Sequence, residues 1–126
     1  LQYSGLGDLI GNAVSSANLP IVLVAFIVAA LVRICVGSAT VAMTMAAGII
    51  AAMPGISELP PLYLACVVAA VAGGSTVCSH FNDSGFWLVR SLVGVDEKTN
   101  LKTWTIMETL VGFSGFVVAF IISLFV

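Results

Sequence analysis

From Ile21 to Met53 the chain carries a single charged residue, Arg33. As one helix, these roughly 33 residues would reach about 50 Å, against a hydrocarbon core of about 30 Å. Tilt absorbs part of such an excess, and a break removes it. Gly37 and Ser38 stand near the middle and supply that break. The two arms, roughly 16 residues and about 24 Å each, fall slightly short of a full crossing. The pattern predicts a re-entrant helical hairpin over residues 19–53 with its tip at 37–42. A polar turn at that depth is tolerated only where protein or a water-filled cavity surrounds it.

Composition leads to the same solvent. Hydrophobic residues make up 60% of the chain and charged residues 8%, whereas about a quarter of a soluble domain is charged. Mean hydropathy is +1.19, so a bilayer suits the exterior. The net charge of -2, with no basic run, argues against nucleic acid as a partner. Cys35, Cys66 and Cys78 are odd in number, lie in apolar stretches and match no metal or redox spacing. They read as small hydrophobes, so no disulfide, metal or cofactor is expected.

The chain opens on Leu1 without a basic n-region. Residues 1–18, rich in Gly, Ser and Asn, have Leu6, Leu9, Ile10 and Val14 loosely on one face, as in an interfacial helix or linker. Pro54-Gly55 ends the hairpin. Residues 62–93 are apolar at both ends, with small residues Ala65, Ala69, Ala70, Ala72, Gly73 and Gly74 suited to close helix packing. The polar insert Ser79 to Gly85 interrupts them, which predicts a discontinuous membrane helix broken at 79–85. Residues 94–102 read as a solvated loop and 103–126 as a final transmembrane helix. Arg90, Lys98 and Lys102 cluster beside that loop, so the positive-inside rule makes it cytoplasmic and puts the C-terminus outside. The predicted fold is all-α and integral to the membrane: a re-entrant hairpin, a discontinuous helix and one full transmembrane helix. Because transporters pair two repeats around a midplane site, this reads as the C-terminal half of an inverted-repeat transporter, with an N-terminal half upstream or on another chain.

Two constellations carry candidate chemistry. At the tip, Gly37 permits the turn, Ser38 can cap the second arm and Thr40 adds a hydroxyl. A helix starting there points unpaired N–H groups and a positive dipole end into the membrane, an anion site without a charged side chain. In the insert, Asp83 or Ser84 can cap the next half-helix, while Ser79, Asn82 and Ser84 offer hydrogen bonds to substrate hydroxyls. His80 and Asp83 are titratable groups in an apolar sequence and are proton-coupling candidates. Arg33, one turn before Gly37, can meet a substrate carboxylate or pair permanently with Asp83. Glu108 is a further proton-coupling candidate, although a role at the helix start is simpler. Trp87 and Trp104 read as packing or interface anchors. Each constellation also has a plain reading, as a capped turn or a satisfied polar cluster.

At these residues the sequence resembles the gluconate permease (GntP) family of proton symporters. The resemblance lies in Ala30 to Ala47, with Arg33 and Gly37-Ser38-Ala39-Thr40-Val41-Ala42; in Ser79 to Trp87; and in the run Lys102-Thr103-Trp104-Thr105-Ile106-Met107-Glu108-Thr109. It implies proton-coupled uptake of gluconate or a related small carboxylate across a bacterial inner membrane, and a plan similar to dicarboxylate transporters with paired hairpins and broken helices. The implied partners are the bilayer, the carboxylate, protons, the N-terminal half and a second copy as a homodimer. Two other classes compete with transport. One is an intramembrane hydrolase using Ser38 or Ser79 with His80 and Asp83, although adjacent Ser79 and His80 are awkward for a triad. The other is a non-transporting membrane subunit or incomplete fragment, whose polar insert would be structural.

Overall fold

The computed structural model describes residues 19–126, and the interfacial helix expected over 1–18 lies outside them. All regular structure among the described residues is helical. Helix α1 (Ile21–Val36) follows Pro20, whose φ of -58° is already helical and whose carbonyl accepts from Leu23 and Val24 at 3.0 and 3.2 Å. It stops at Gly37, where φ is 80° and the N–H closes on the Arg33 carbonyl at 2.8 Å. That left-handed conformation favours glycine. Helix α2 (Ala39–Ala51) starts immediately, with Ser38 Oγ accepting from Val41 N at 3.4 Å. A short 3-10 turn (Ile56–Glu58) leads to α3 (Pro61–Thr76), with proline in the first turn where no N–H is needed.

The chain then leaves the helix over residues 77–83, with Cys78 in the left-handed region at φ 57°. Helix α4 (Ser84–Val93) resumes under an Asp83 cap and ends at Gly94, φ 74°. Helix α5 (Glu97–Ser123) is the one helix among the described residues long and apolar enough to cross a membrane. It contains a π turn over Leu101–Thr105.

Local chemistry moves several boundaries from their expected positions. The first break is confined to Gly37 and Ser38 because the serine cap lets Thr40, Val41 and Ala42 enter the first turn of α2. The second occupies 77–83 and not 79–85: the preceding helix ends at Thr76, and Asp83, one of the two expected caps, brings Ser84 and Gly85 into the next helix. Residues 97–102, expected in a loop, are helical. Asp96 caps them by accepting from Thr99 N at 3.3 Å, and Glu97 pairs with Arg90 at 2.7 Å. Glu108 therefore sits about three turns inside α5, deeper than its sequence position suggested.

Helix α3 is central and packs on α1, α2 and α5. Ala46, Ile50 and Met53, at the far end of the α2 segment, share one apolar cluster with Val22 and Ala25 near the start of α1, so the chain folds back at Gly37. In a bilayer, burying these groups gains little from water, and close backbone approach supplies the attraction instead. A Cβ on Gly73 would lie 2.6 Å from the Gly112 carbonyl, and one on Gly74 would lie 2.8 Å from Ala29 Cβ. Thus α3 touches α5 through one glycine and α1 through the next. Ala65 and Ala69, also expected to support packing, are exposed. Phe26 of α1 stacks on Phe116 of α5, with ring centroids 4.2 Å apart. Leu110, Val111, Val118 and Ile121 of α5 face outward, inverting the polarity of a soluble helix.

The glycine contacts give a paired test. Gly112→Val should destabilise the detergent-solubilised full-length protein by about 1–3 kcal/mol through overpacking against Gly73 and Thr76. Gly115→Ala, three residues further on with open space around it, should leave the melting midpoint unchanged or slightly raised. Equal melting midpoints for the two variants would refute the close α3–α5 approach.

Candidate functional site

The two helix breaks meet. A side chain at Gly37 would run into the backbone of Asn82, so the first glycine lies directly on the second break. Asn82 Nδ2 donates to the Ile34 carbonyl at 2.9 Å, satisfying an acceptor in the last turn of α1. Arg33, only 2% exposed, reaches across the same contact. Its Nη2 lies 2.6 Å from Asp83 Oδ2, and its Nη1 donates to the Gly37 carbonyl. One guanidinium thus holds both the turn that ends α1 and the carboxylate that starts α4.

Asp83 is correspondingly saturated. Its Oδ1 accepts from Gly85 N at 3.0 Å, and its Oδ2 accepts from Arg33 and from the Ser79 hydroxyl. The protein's own carboxylate occupies a pocket of donors built from a helix N-terminus, a hydroxyl and a guanidinium. Of the two readings open for Arg33, the structure adopts pairing with Asp83. Its Nε is buried without a hydrogen-bond partner.

The remaining candidates divide by position. Ser79 is fully buried inside the cluster. Thr40 and Ser84, each in the first turn of a half-helix, are exposed, as is Asn82, while Ser38 is half-buried at its cap. His80 turns its Nδ1 to the Cys78 carbonyl at 2.8 Å and away from the ion pair's hydrogen bonds. Glu108 is half-buried on α5, next in sequence to Thr109. The serine hydrolase arrangement is not formed, since the Ser79 hydroxyl is committed to Asp83 and not to the adjacent imidazole.

Several contributors went unrecognised in the sequence. Trp104, read as a packing or interface anchor, also has a polar role in the site: its Nε1 donates to Ser79 Oγ at 2.9 Å. Thr105 Oγ1 donates to the Ser79 carbonyl, and Thr109 Oγ1 accepts from Cys78 N at 3.1 Å. Asn100, 1% exposed, donates to the Phe86 carbonyl at 2.7 Å and tethers α5 to α4. The i, i+4 spacing of Thr105 and Thr109 puts both on one helix face and was the available signal. Trp87 Nε1 donates to the Phe81 carbonyl at 2.8 Å while its ring lies 5.7 Å from the Arg90 guanidinium, so it ties the start of α4 to the unwound segment before it.

The model of the GntP family permeases matches residues 1–125 of the chain. A low-affinity gluconate transporter of Escherichia coli (strain K12) is 45% identical over 123 residues, covering 96% of this chain and 27% of that protein. A gluconate permease of Pseudomonas aeruginosa is 41% identical over 124 residues, 98% of this chain and 27% of its own length. The Gnt-II system L-idonate transporter of Escherichia coli (strain K12) is 38% identical over 115 residues, 91% of this chain and 26% of its own. No solved structure matches the chain. The chain spans about a quarter of the length of the curated relatives it matches, and those relatives are carriers, not enzymes. Its match to the family model over 1–125 is nearly end to end, and the chain belongs to the GntP family of permeases.

Proposed function

We propose that this chain forms part of a secondary transporter that takes up gluconate or a related small sugar acid together with a proton. The observation that carries the reading is the buried Arg33–Asp83 pair at the meeting point of two helix breaks. A buried guanidinium needs an anion, because an unpaired charge in low dielectric costs several kcal/mol. Asp83 is that anion here. A proton on Asp83 removes its charge and leaves Arg33 without a counter-ion. An incoming carboxylate can then take the vacated partner position, assisted by the N-terminus of α2. Neither event is favourable alone, so proton and anion bind together, which is the condition for symport.

The polar groups around the pair suit a polyhydroxy acid. Ser38, Thr40, Asn82 and Ser84 stand at the rims of the two breaks, where they can exchange hydrogen bonds with substrate hydroxyls. The names of the relatives, two gluconate carriers and one L-idonate carrier, support the same substrate class. In this reading residues 19–53 form a re-entrant hairpin in a bacterial inner membrane. Arg90, Lys98 and Lys102 mark the cytoplasmic side and put the C-terminus outside. A second repeat, contributed by the rest of a full-length permease, completes the site.

Uptake of labelled gluconate into proteoliposomes of the full-length permease tests this. Asp83→Asn should abolish accumulation driven by a pH gradient while preserving part of the gluconate exchange, since Arg33 then binds anions without a proton. Arg33→Gln should depress both, lowering apparent affinity by roughly tenfold or more as a charge-assisted contact is lost. Wild-type gradient-driven accumulation and wild-type pH dependence in Asp83→Asn would refute the coupling role.

The geometry also ranks the proton carriers. His80→Gln should retain gradient-driven uptake within about twofold, because His80 is turned to the Cys78 carbonyl and not to Arg33. Glu108→Gln, with Glu108 half-buried on α5 beside the Thr109 that bonds Cys78 N, should alter the pH dependence of uptake. A complete loss in His80→Gln beside an unaltered Glu108→Gln would reverse the ranking.

A further inference from the structure

Ser79 is 0% exposed and meets α5 at two points, the Trp104 indole N–H on its Oγ at 2.9 Å and the Thr105 hydroxyl on its carbonyl. Its own hydroxyl donates to Asp83 Oδ2, the oxygen that also receives Arg33. An uninterrupted path therefore runs from α5 through Trp104, Ser79 and Asp83 to Arg33 and the end of α1. Hydrogen bonds in such a chain polarise one another, and each fixes the rotamer of the next.

Trp104 and Thr105 lie in the π turn Leu101–Thr105. A π turn holds one residue more than an α turn, so it rotates the residues before it by about 100° relative to the helix that follows. Upstream of the turn, Asn100 faces the buried Phe86 carbonyl; downstream, Thr109 faces Cys78 N. The extra residue lets one helix hold the half-helix α4 and the unwound segment at once, with Trp104 and Thr105 between them. Such irregular turns are common at functional sites.

We infer that Trp104 and Thr105, presented by this π turn, are positioning residues that hold Ser79 against Asp83 and so set how readily Asp83 releases Arg33 to a bound anion. The inference rests on the exchange reading of the site. Trp104 touches neither substrate nor proton; it acts by keeping the Ser79 hydroxyl aimed at the carboxylate. The charged group bonded to Asp83 is Arg33 from α1; His80 lies on the same unwound segment, and Glu108 is half-buried on α5 beside Thr109. None of them is altered by changing Trp104.

The test is the pH profile of gluconate uptake by the full-length permease, with apparent KM and maximal rate measured separately. Ser79→Ala removes a donor from the carboxylate, so proton-dependent uptake should extend to higher pH by roughly one unit. Trp104→Phe keeps the ring, loses the N–H, and should move the profile the same way by less. The double variant should move it no further than Ser79→Ala alone, because both lie on one path. Thr105→Ser should restore wild-type behaviour where Thr105→Val does not. An unmoved profile in Trp104→Phe, or additive shifts in the double variant, overturns the positioning role. If Asp83→Asn impairs gradient-driven uptake while Trp104→Phe leaves the profile alone, the exchange reading survives and this inference falls. Wild-type uptake in Asp83→Asn removes both.

Discussion

A buried guanidinium needs an anion, and much of this structure follows from how Arg33 finds one. Arg33 is 2% exposed, and its counter-ion comes from a residue 50 positions later in the chain. To reach it, α1 must end beside the break between α3 and α4, and nothing larger than glycine fits at that junction. The same arginine caps the turn it has just left, through the Gly37 carbonyl. A single side chain thus joins two irregular backbone segments. Non-helical backbone is tolerable inside a bilayer only with such partners.

The close approach of α3 to its neighbours serves the same end. Gly73 meets α5 and Gly74 meets α1, so two consecutive glycines set the spacing on both sides. With lipid as solvent, that spacing is maintained by packing and polar contacts, not by exclusion of water. The breaks themselves lie at the ends of these packed helices. Dense contacts along α1, α3 and α5 leave the polar residues of 77–83 to be positioned by side chains from α1 and α5.

The sequence foretold the breaks more clearly than their partners. Length called for a break between Ile21 and Met53, and the Gly37-Ser38 pair near the middle located it. The polar run from Ser79 to Gly85 stood out against apolar flanks. Exact limits were less legible, since they depended on which residue takes the cap: Asp83, not Ser84, caps the helix after the second break, and Asp96 draws Glu97 to Lys102 into helix. The pairing of Arg33 was left open because a substrate anion and Asp83 satisfy the same electrostatic need. The π turn had no signature at all. Leu101 to Thr105 have ordinary helix-compatible chemistry, and only the tertiary demands of Phe86, Ser79 and Cys78 explain the extra residue.

Those tertiary demands bear on how coupling would operate. If Arg33 and Asp83 formed an isolated pair, separating them would be a local event whose consequences ended there. They are not isolated. Asp83 begins α4, Arg33 ends α1, and Ser79 carries the influence of α5. Neutralising Asp83 weakens its bonds to Gly85 N, Ser79 and Arg33 together, so the junction of three helices loosens in one step. In the proposed cycle, restoring a carboxylate, by deprotonation or by a bound acid, would tighten it again. A site of this kind senses whether an anion is present more than which anion it is. Under the proposed function, discrimination among sugar acids would fall to hydroxyl-bearing groups at the rims of the breaks, outside the ion pair.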